Sequence, residues 1–127
     1  MARRLLVFLL MAFALANIAR CGLAIQQAIT LPDLPQPFAA WVNAATGAVW
    51  ALGFGLAALG AAARLRIMRW GSVVLMALYH AHLWLNRAAF ARAENAPLTA
   101  EFNLLLAVIA VGGVAALSGL AWRKNLE

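Results

Sequence analysis

Apolar and polar residues fall in blocks along this chain. Four long apolar stretches, about 5–31, 38–63, 67–92 and 99–122, are separated by three short polar or proline-bearing ones. About 20 predominantly apolar residues cross a bilayer as a helix. Each block therefore predicts one transmembrane helix, and together they predict an all-α four-helix membrane bundle forming a single domain over 1–127. The separators support that division. "LPDLPQPF" (31–38) carries three prolines, which fix φ and push each preceding residue out of the α region, so an extended connection is expected. "RLRIMRW" (64–70) reads as a tight basic turn. "ARAENAPLT" (91–99) offers Asn95 or Thr99 as a helix cap, with Pro97 tolerated near a first turn.

Composition sharpens this picture. The 127 residues are 66% hydrophobic and 11% charged, with mean hydropathy +0.87. A soluble domain carries about 25% charged residues, and a small one buries only part of its surface. The solvent for most of these side chains is therefore lipid. A pI near 11.5 would suit nucleic-acid binding, but the basic residues form no single stripe. They stand in short groups at the ends of apolar runs, as membrane topology requires. With the N-terminus inside, one face holds Arg3, Arg4, Arg64, Arg66, Arg69, Arg123 and Lys124. The other holds Arg87 and Arg92 beside Asp33, Glu94 and Glu101. The positive-inside rule then predicts an inner-membrane, multi-pass protein with both termini cytoplasmic. The stretch "MARRLLVFLLMAFALANIA" also has the make-up of a signal peptide. A retained first span is the expectation, since Arg20 before Cys21 spoils a lipoprotein cleavage box.

Polar residues inside the spans are unevenly placed. Counted at about 1.5 Å per residue, Asn17, Arg20 and Gln27 of the first span lie in the outer half, as do Asn43 and Thr46 of the second. So do Tyr79, His80, His82, Asn86 and Arg87 of the third and Asn103 of the fourth. The inner half is Ala, Gly, Leu and Val, relieved by Ser72 and Ser118. Ser72, Tyr79 and Asn86 recur every seven residues, with His82 three beyond Tyr79, so they share a face. Asn17, Arg20 and Gln27 share another. Unpaired polar groups in hydrocarbon cost several kcal/mol (about 2–7 for a neutral group), so these two faces are expected to meet as an interhelical polar layer.

The stretch "YHAHLWLNRAAFAR" (79–92) holds both histidines and the lone tyrosine. On a helix His80 and His82 lie about 200° apart and cannot share one ion, and with Glu101 counted to the outer face no acid lies within a span. No metal site is expected, and no intrinsic cofactor. Tyr79, His80 and His82 are the candidate contacts for a quinone, or for a haem or pigment shared with a partner subunit. The plainer reading of both histidines is an interfacial residue satisfied by water or a neighbour. Arg20 has no acid to pair with and can snorkel outward or meet an acid from another protein. Cys21 reads as a small apolar residue, since no C-x-x-C occurs.

Small residues at three- or four-residue spacing supply packing faces: Gly47, Ala51 and Gly55, each four apart, on the second span, and Gly112, Ala116 and Gly119 on the fourth. Such strips let helix backbones approach closely in lipid, either within this bundle or against another subunit. Trp41, Trp70, Trp84 and Trp122 sit near span ends as an aromatic belt, with Trp50 deeper as packing.

No nucleophile–base pair, metal cluster or phosphate loop is visible, so an enzyme is not expected. A proton-coupled cation exporter would need a membrane-embedded acid. The sequence best fits a small accessory subunit among other integral membrane subunits and lipids. Electron-transfer complexes, respiratory or photosynthetic, are frequent among bacterial assemblies that retain such small helical subunits, so one of them is the expected host. The alternative is a small four-helix transporter or a quinone, haem or pigment binder using the outer polar layer.

Overall fold

The computed structural model describes residues 1–31, 37–90 and 96–123, with side chains at 37–39, 87–90 and 96–99 left aside. It is all α among these residues: α1 is Ala2–Thr30, α2 Pro37–Ala62, α3 Met68–Phe90 and α4 Ala96–Arg123. The helix boundaries agree with the apolar blocks to within a few residues. Of the stretch expected to be extended, residues 32–36, Asp33 among them, lie outside the described residues. Its last two, Pro37 and Phe38, instead open α2, where a proline is tolerated in the first turn. Arg92, Glu94, Asn95 and Lys124 also lie outside, as do the side chains of Arg87 and Thr99.

The four helices form a ring. α1 packs on α2 and α4, and α3 packs on α2 and α4, so α1 faces α3 and α2 faces α4 across the diagonals. α1 and α2 form the most intimate pair, and Gly47 explains why. A Cβ there would stand 3.1 Å from the backbone oxygen of Asn17 and 3.1 Å from the backbone nitrogen of Cys21. Only glycine lets the two backbones come that close. Gly55, from the same small-residue strip, has open space at its Cβ position.

The dense part of the core lies at the end carrying the N-terminus and the α2–α3 turn. Leu6, Leu10 and Ala14 of α1 meet Phe54, Ala57, Ala58 and Ala61 of α2 there, with Met76 of α3 and Val114 and Trp122 of α4. Trp122 is thus a departure from the belt expected of the sequence. It is 7% exposed and belongs to the core cluster. Trp41, Trp70 and Trp84 stay exposed.

At that same end the turn from α2 to α3 is sharp. Arg64 takes φ 61, the left-handed conformation usually left to glycine. Around it Leu65 N–H donates to the Gly60 carbonyl at 2.9 Å and Arg64 N–H to the Ala61 carbonyl at 3.2 Å. These two bonds are a Schellman closure, and they satisfy carbonyls that the helix end would leave open.

The outside of the ring is as oily as its interior. Phe8 is 74% exposed, Leu52 68%, Leu56 67% and Leu85 70%. α1, α2 over Ala40–Ala62 and α4 over Ala100–Arg123 are each long and apolar enough to cross a membrane. The protein is therefore a multi-pass membrane helix bundle. α3, with 23 residues, is long enough at about 35 Å, but it is less apolar than the others because the polar side chains are concentrated on it.

The two glycines of α2 should behave oppositely. Gly47→Val should lower thermal stability in detergent by about 1–3 kcal/mol, because backbone cannot give way as a side chain can. Gly55→Ala should be neutral or slightly stabilising. Equal losses at both sites would contradict the close α1–α2 approach.

Candidate functional site

The polar groups cluster in the half of the ring away from the termini. Their floor is aromatic. Phe13 of α1, Trp50 and Phe54 of α2 and Tyr79 of α3 stand ring against ring. Tyr79 lies edge-on to Phe13 at 5.7 Å, to Trp50 at 5.2 Å and to Phe54 at 5.2 Å. Edge-to-face geometry of this kind contributes beyond area burial, about 0.5–1.5 kcal/mol per pair. It also bridges the α1–α3 diagonal, where backbones are too far apart to touch. Across that diagonal Phe13 of α1 meets Tyr79 of α3, and Phe13 carried no polar signal in the sequence.

Above this floor most polar side chains turn to their own helix. Asn17, 1% exposed, donates from Nδ2 to the Phe13 carbonyl at 2.9 Å. Thr46 Oγ1 donates to the Val42 carbonyl at 2.9 Å, and below the floor, near the α2–α3 turn, Ser72 Oγ donates to the Met68 carbonyl at 2.8 Å. Asn86 Nδ2 stands 3.0 Å from His82 Nε2, one turn apart on α3. Such local bonds remove the penalty of a bare polar group in lipid without needing a neighbour. Between helices, the Arg20 guanidinium of α1 donates from Nη2 to Asn43 Oδ1 of α2 at 2.9 Å. Asn103 is half-buried on α4 and also interacts, and Gln27 is exposed near the end of α1.

The histidines part company as the helical geometry requires. His82 lies 5.6 Å from the Trp50 ring and is held by Asn86. His80 stays half-buried, its Nε2 shut from solvent without a hydrogen-bond partner. Among the described residues no group of three or more His, Cys, Asp and Glu side chains converges. A His80 nitrogen free to bind and a Tyr79 ring wedged among three others are what this layer offers a planar ligand. The space between α1, α2 and α3 is already taken by those rings.

Beside the layer, a cleft of about 390 Å³ runs along α1, bounded by Ala16, Ala19, Leu23 and Gln27 with Arg20 and Asn43 at its polar end. Its small residues were not singled out by spacing in the sequence; the alanine i, i+3 step beside Arg20 was the signal available. Arg20 Nη1 is buried and has no hydrogen-bond partner. Cys21 is half-buried and free.

No protein-family model, curated protein or solved structure matches the chain.

If Tyr79 serves packing, Tyr79→Phe should leave thermal stability within about 0.5 kcal/mol, whereas Tyr79→Ala should lose about 3–5 kcal/mol through the cavity left among the rings. A large loss for Tyr79→Phe, read by the same melt, would mean that the hydroxyl carries a role of its own.

Proposed function

We propose that the protein is a small non-catalytic subunit of a larger membrane assembly, docking another subunit's transmembrane helix on the outer face of α4. The observation that carries this reading is the contrast between two sets of small residues. Gly47 is consumed by the α1–α2 approach. Gly112 and Gly119 have open space where a Cβ would be, and Ala116 is exposed. Gly112 and Ala116 each lie about 200° round the axis from the inward-facing Val114 and Ser118. Exposed Val108, Ile109 and Leu120 flank the strip. In lipid, where apolar area alone gives no drive to associate, a smooth strip between bulky flanks is what lets a second helix come close.

In this reading α3 crosses with the other three, its polar face turned to Trp50 and Phe13 and its apolar side outward. The arginine-rich α2–α3 turn and both termini sit on the cytoplasmic side of the inner membrane, where Arg3, Arg4, Arg64, Arg66 and Arg69 would be retained.

The strip and the topology are tested separately. Gly112→Leu with Ala116→Leu should leave the bundle's melting temperature nearly unchanged and abolish co-purification of stoichiometric partners from mild detergent. Recovery of the unaltered protein alone, with transport activity in vesicles, would replace the subunit by a transporter. For the topology, a cysteine placed at Arg66 in a Cys21→Ala background should resist membrane-impermeant thiol reagents in intact cells and react once the membrane is opened. Labelling from outside would invert the orientation.

A further inference from the structure

We infer that the Arg20 cleft is a binding site for one anionic phospholipid, with its phosphate on Arg20 and an acyl chain laid along Ala19 and Ala16. This goes beyond the docking role of α4 and does not depend on it.

The polar end of the cleft offers donors without an acid. Arg20 has committed Nη2 to Asn43, while Nη1 is closed off from solvent and unpartnered. Asn43, having given its Oδ1 to Arg20, has its amide N–H groups left to donate. Gln27 stands one to two turns further along the same wall. No salt bridge is made by Arg20 among the described residues. A guanidinium in this setting holds a full positive charge that no carboxylate among the described residues compensates, and an anion from the surroundings would do so. An oxyanion entering the cleft that the Arg20 guanidinium lines supplies that compensation through a charge-assisted bond, the strong kind.

Depth and shape decide which oxyanion. α1 has 29 residues, about 43 Å, against a hydrocarbon layer about 30 Å thick. Centred in that layer, α1 puts Gln27 at the boundary and Arg20 about 9 Å beneath it. Gly47 lies against Asn17 and Cys21. Asn43, one turn back along the antiparallel α2, therefore draws the guanidinium towards the boundary, as snorkelling arginines do. Lipid phosphates sit there. From Arg20 the cleft continues past Ala19 and Ala16 towards the bilayer midplane, with exposed Leu23 as its rim. Those alanines leave a channel that suits a hydrocarbon chain entering from the side. A second basic groove, of about 430 Å³ with Arg3, Arg4 and Phe8 along it, lies at the opposite end. Its arginines have no orphaned buried atom, so it lacks the uncompensated group that singles out Arg20.

The test is native mass spectrometry of the delipidated protein in detergent, titrated with phosphatidylglycerol or phosphatidylcholine. The unaltered protein should retain one phosphatidylglycerol in preference to phosphatidylcholine. Arg20→Gln should reduce that retention about tenfold, as expected for loss of a charge-assisted bond. Asn43→Asp, which supplies the missing carboxylate internally, should reduce it similarly. Ala19→Leu keeps the charges, fills the channel and should also release the lipid, so the outcome is readable even if Arg20→Gln folds poorly. Arg4→Gln should leave retention intact. Equal retention of the two lipids by the unaltered protein, or unchanged phosphatidylglycerol binding in Asn43→Asp and Ala19→Leu, would overturn the site. So would loss of a partner protein's co-purification in Arg20→Gln with lipid retention unaffected, since a protein carboxylate would then be the counter-charge.

Discussion

A bundle whose outside is as apolar as its core cannot be held together by expelling oil from water. Leu52, Leu56 and Phe8 face the solvent of this protein as comfortably as Leu6 and Phe54 face its interior. Burying a leucine between helices exchanges one hydrocarbon contact for another. Association must then come from closeness of approach and from ring geometry. Gly47 at the α1–α2 contact supplies the first, and the Phe13–Trp50–Phe54–Tyr79 cluster the second. The same constraint disciplines the polar groups, because each must find a partner or remain a cost. Asn17, Thr46 and Ser72 solve this by bonding carbonyls on their own helices. That solution makes them compatible with hydrocarbon without making them adhesive.

Why block hydropathy was legible and partner choice was not follows from the same physics. A transmembrane helix is specified by length and apolarity, both properties of a continuous stretch, so α1, α2 and α4 could be read directly. The i, i+4 options of Asn17 and Thr46 are equally local, yet a sequence cannot say whether such a side chain turns back or reaches across. The face shared by Ser72, Tyr79, His82 and Asn86 was visible as a heptad. What it meets was not: its nearest interhelical partners are Phe13, Phe54 and Trp50, which polarity patterns ignore. Gly47 and Gly55 have identical spacing signatures, and only the register between α1 and α2 decides which one is used. Trp122 shows the limit from the other side. Position near a helix end suggested the membrane interface, but the indole joins the core cluster instead.

The two ends of the ring consequently differ in kind. Towards the termini, Leu6, Leu10, Phe54, Met76, Val114 and Trp122 interlock, and the α2–α3 turn is fixed by the closure around Arg64. That end has the density of a conventional core. Away from the termini, α1 and α2 stay close at Gly47 and are tied by the charged hydrogen bond from Arg20 to Asn43, with an open cleft alongside. Function in membrane bundles collects where packing is incomplete, because only there can a ligand, lipid or second helix compete for contacts. A rigid end and an accommodating end in one 127-residue chain is the division expected of a protein that is anchored at one face and adjusts to its surroundings at the other.

Arg20 is the point at which this division becomes chemical. Removing an arginine from that depth would relieve a cost of about 2.5–3.5 kcal/mol at most, and less near the boundary. A neutral residue at position 20 could equally well face Asn43, and glutamine would keep a hydrogen bond. The bundle's own packing therefore gives no reason for a positive charge there. Asn43 satisfies one arm of the guanidinium and leaves the other arm, and the whole of the charge, uncompensated. Among the described residues no carboxylate pairs with that charge, and this is what points to a counter-charge in the surroundings. The cleft beside Ala16 and Ala19 gives that counter-charge a route in from the bilayer rather than from water.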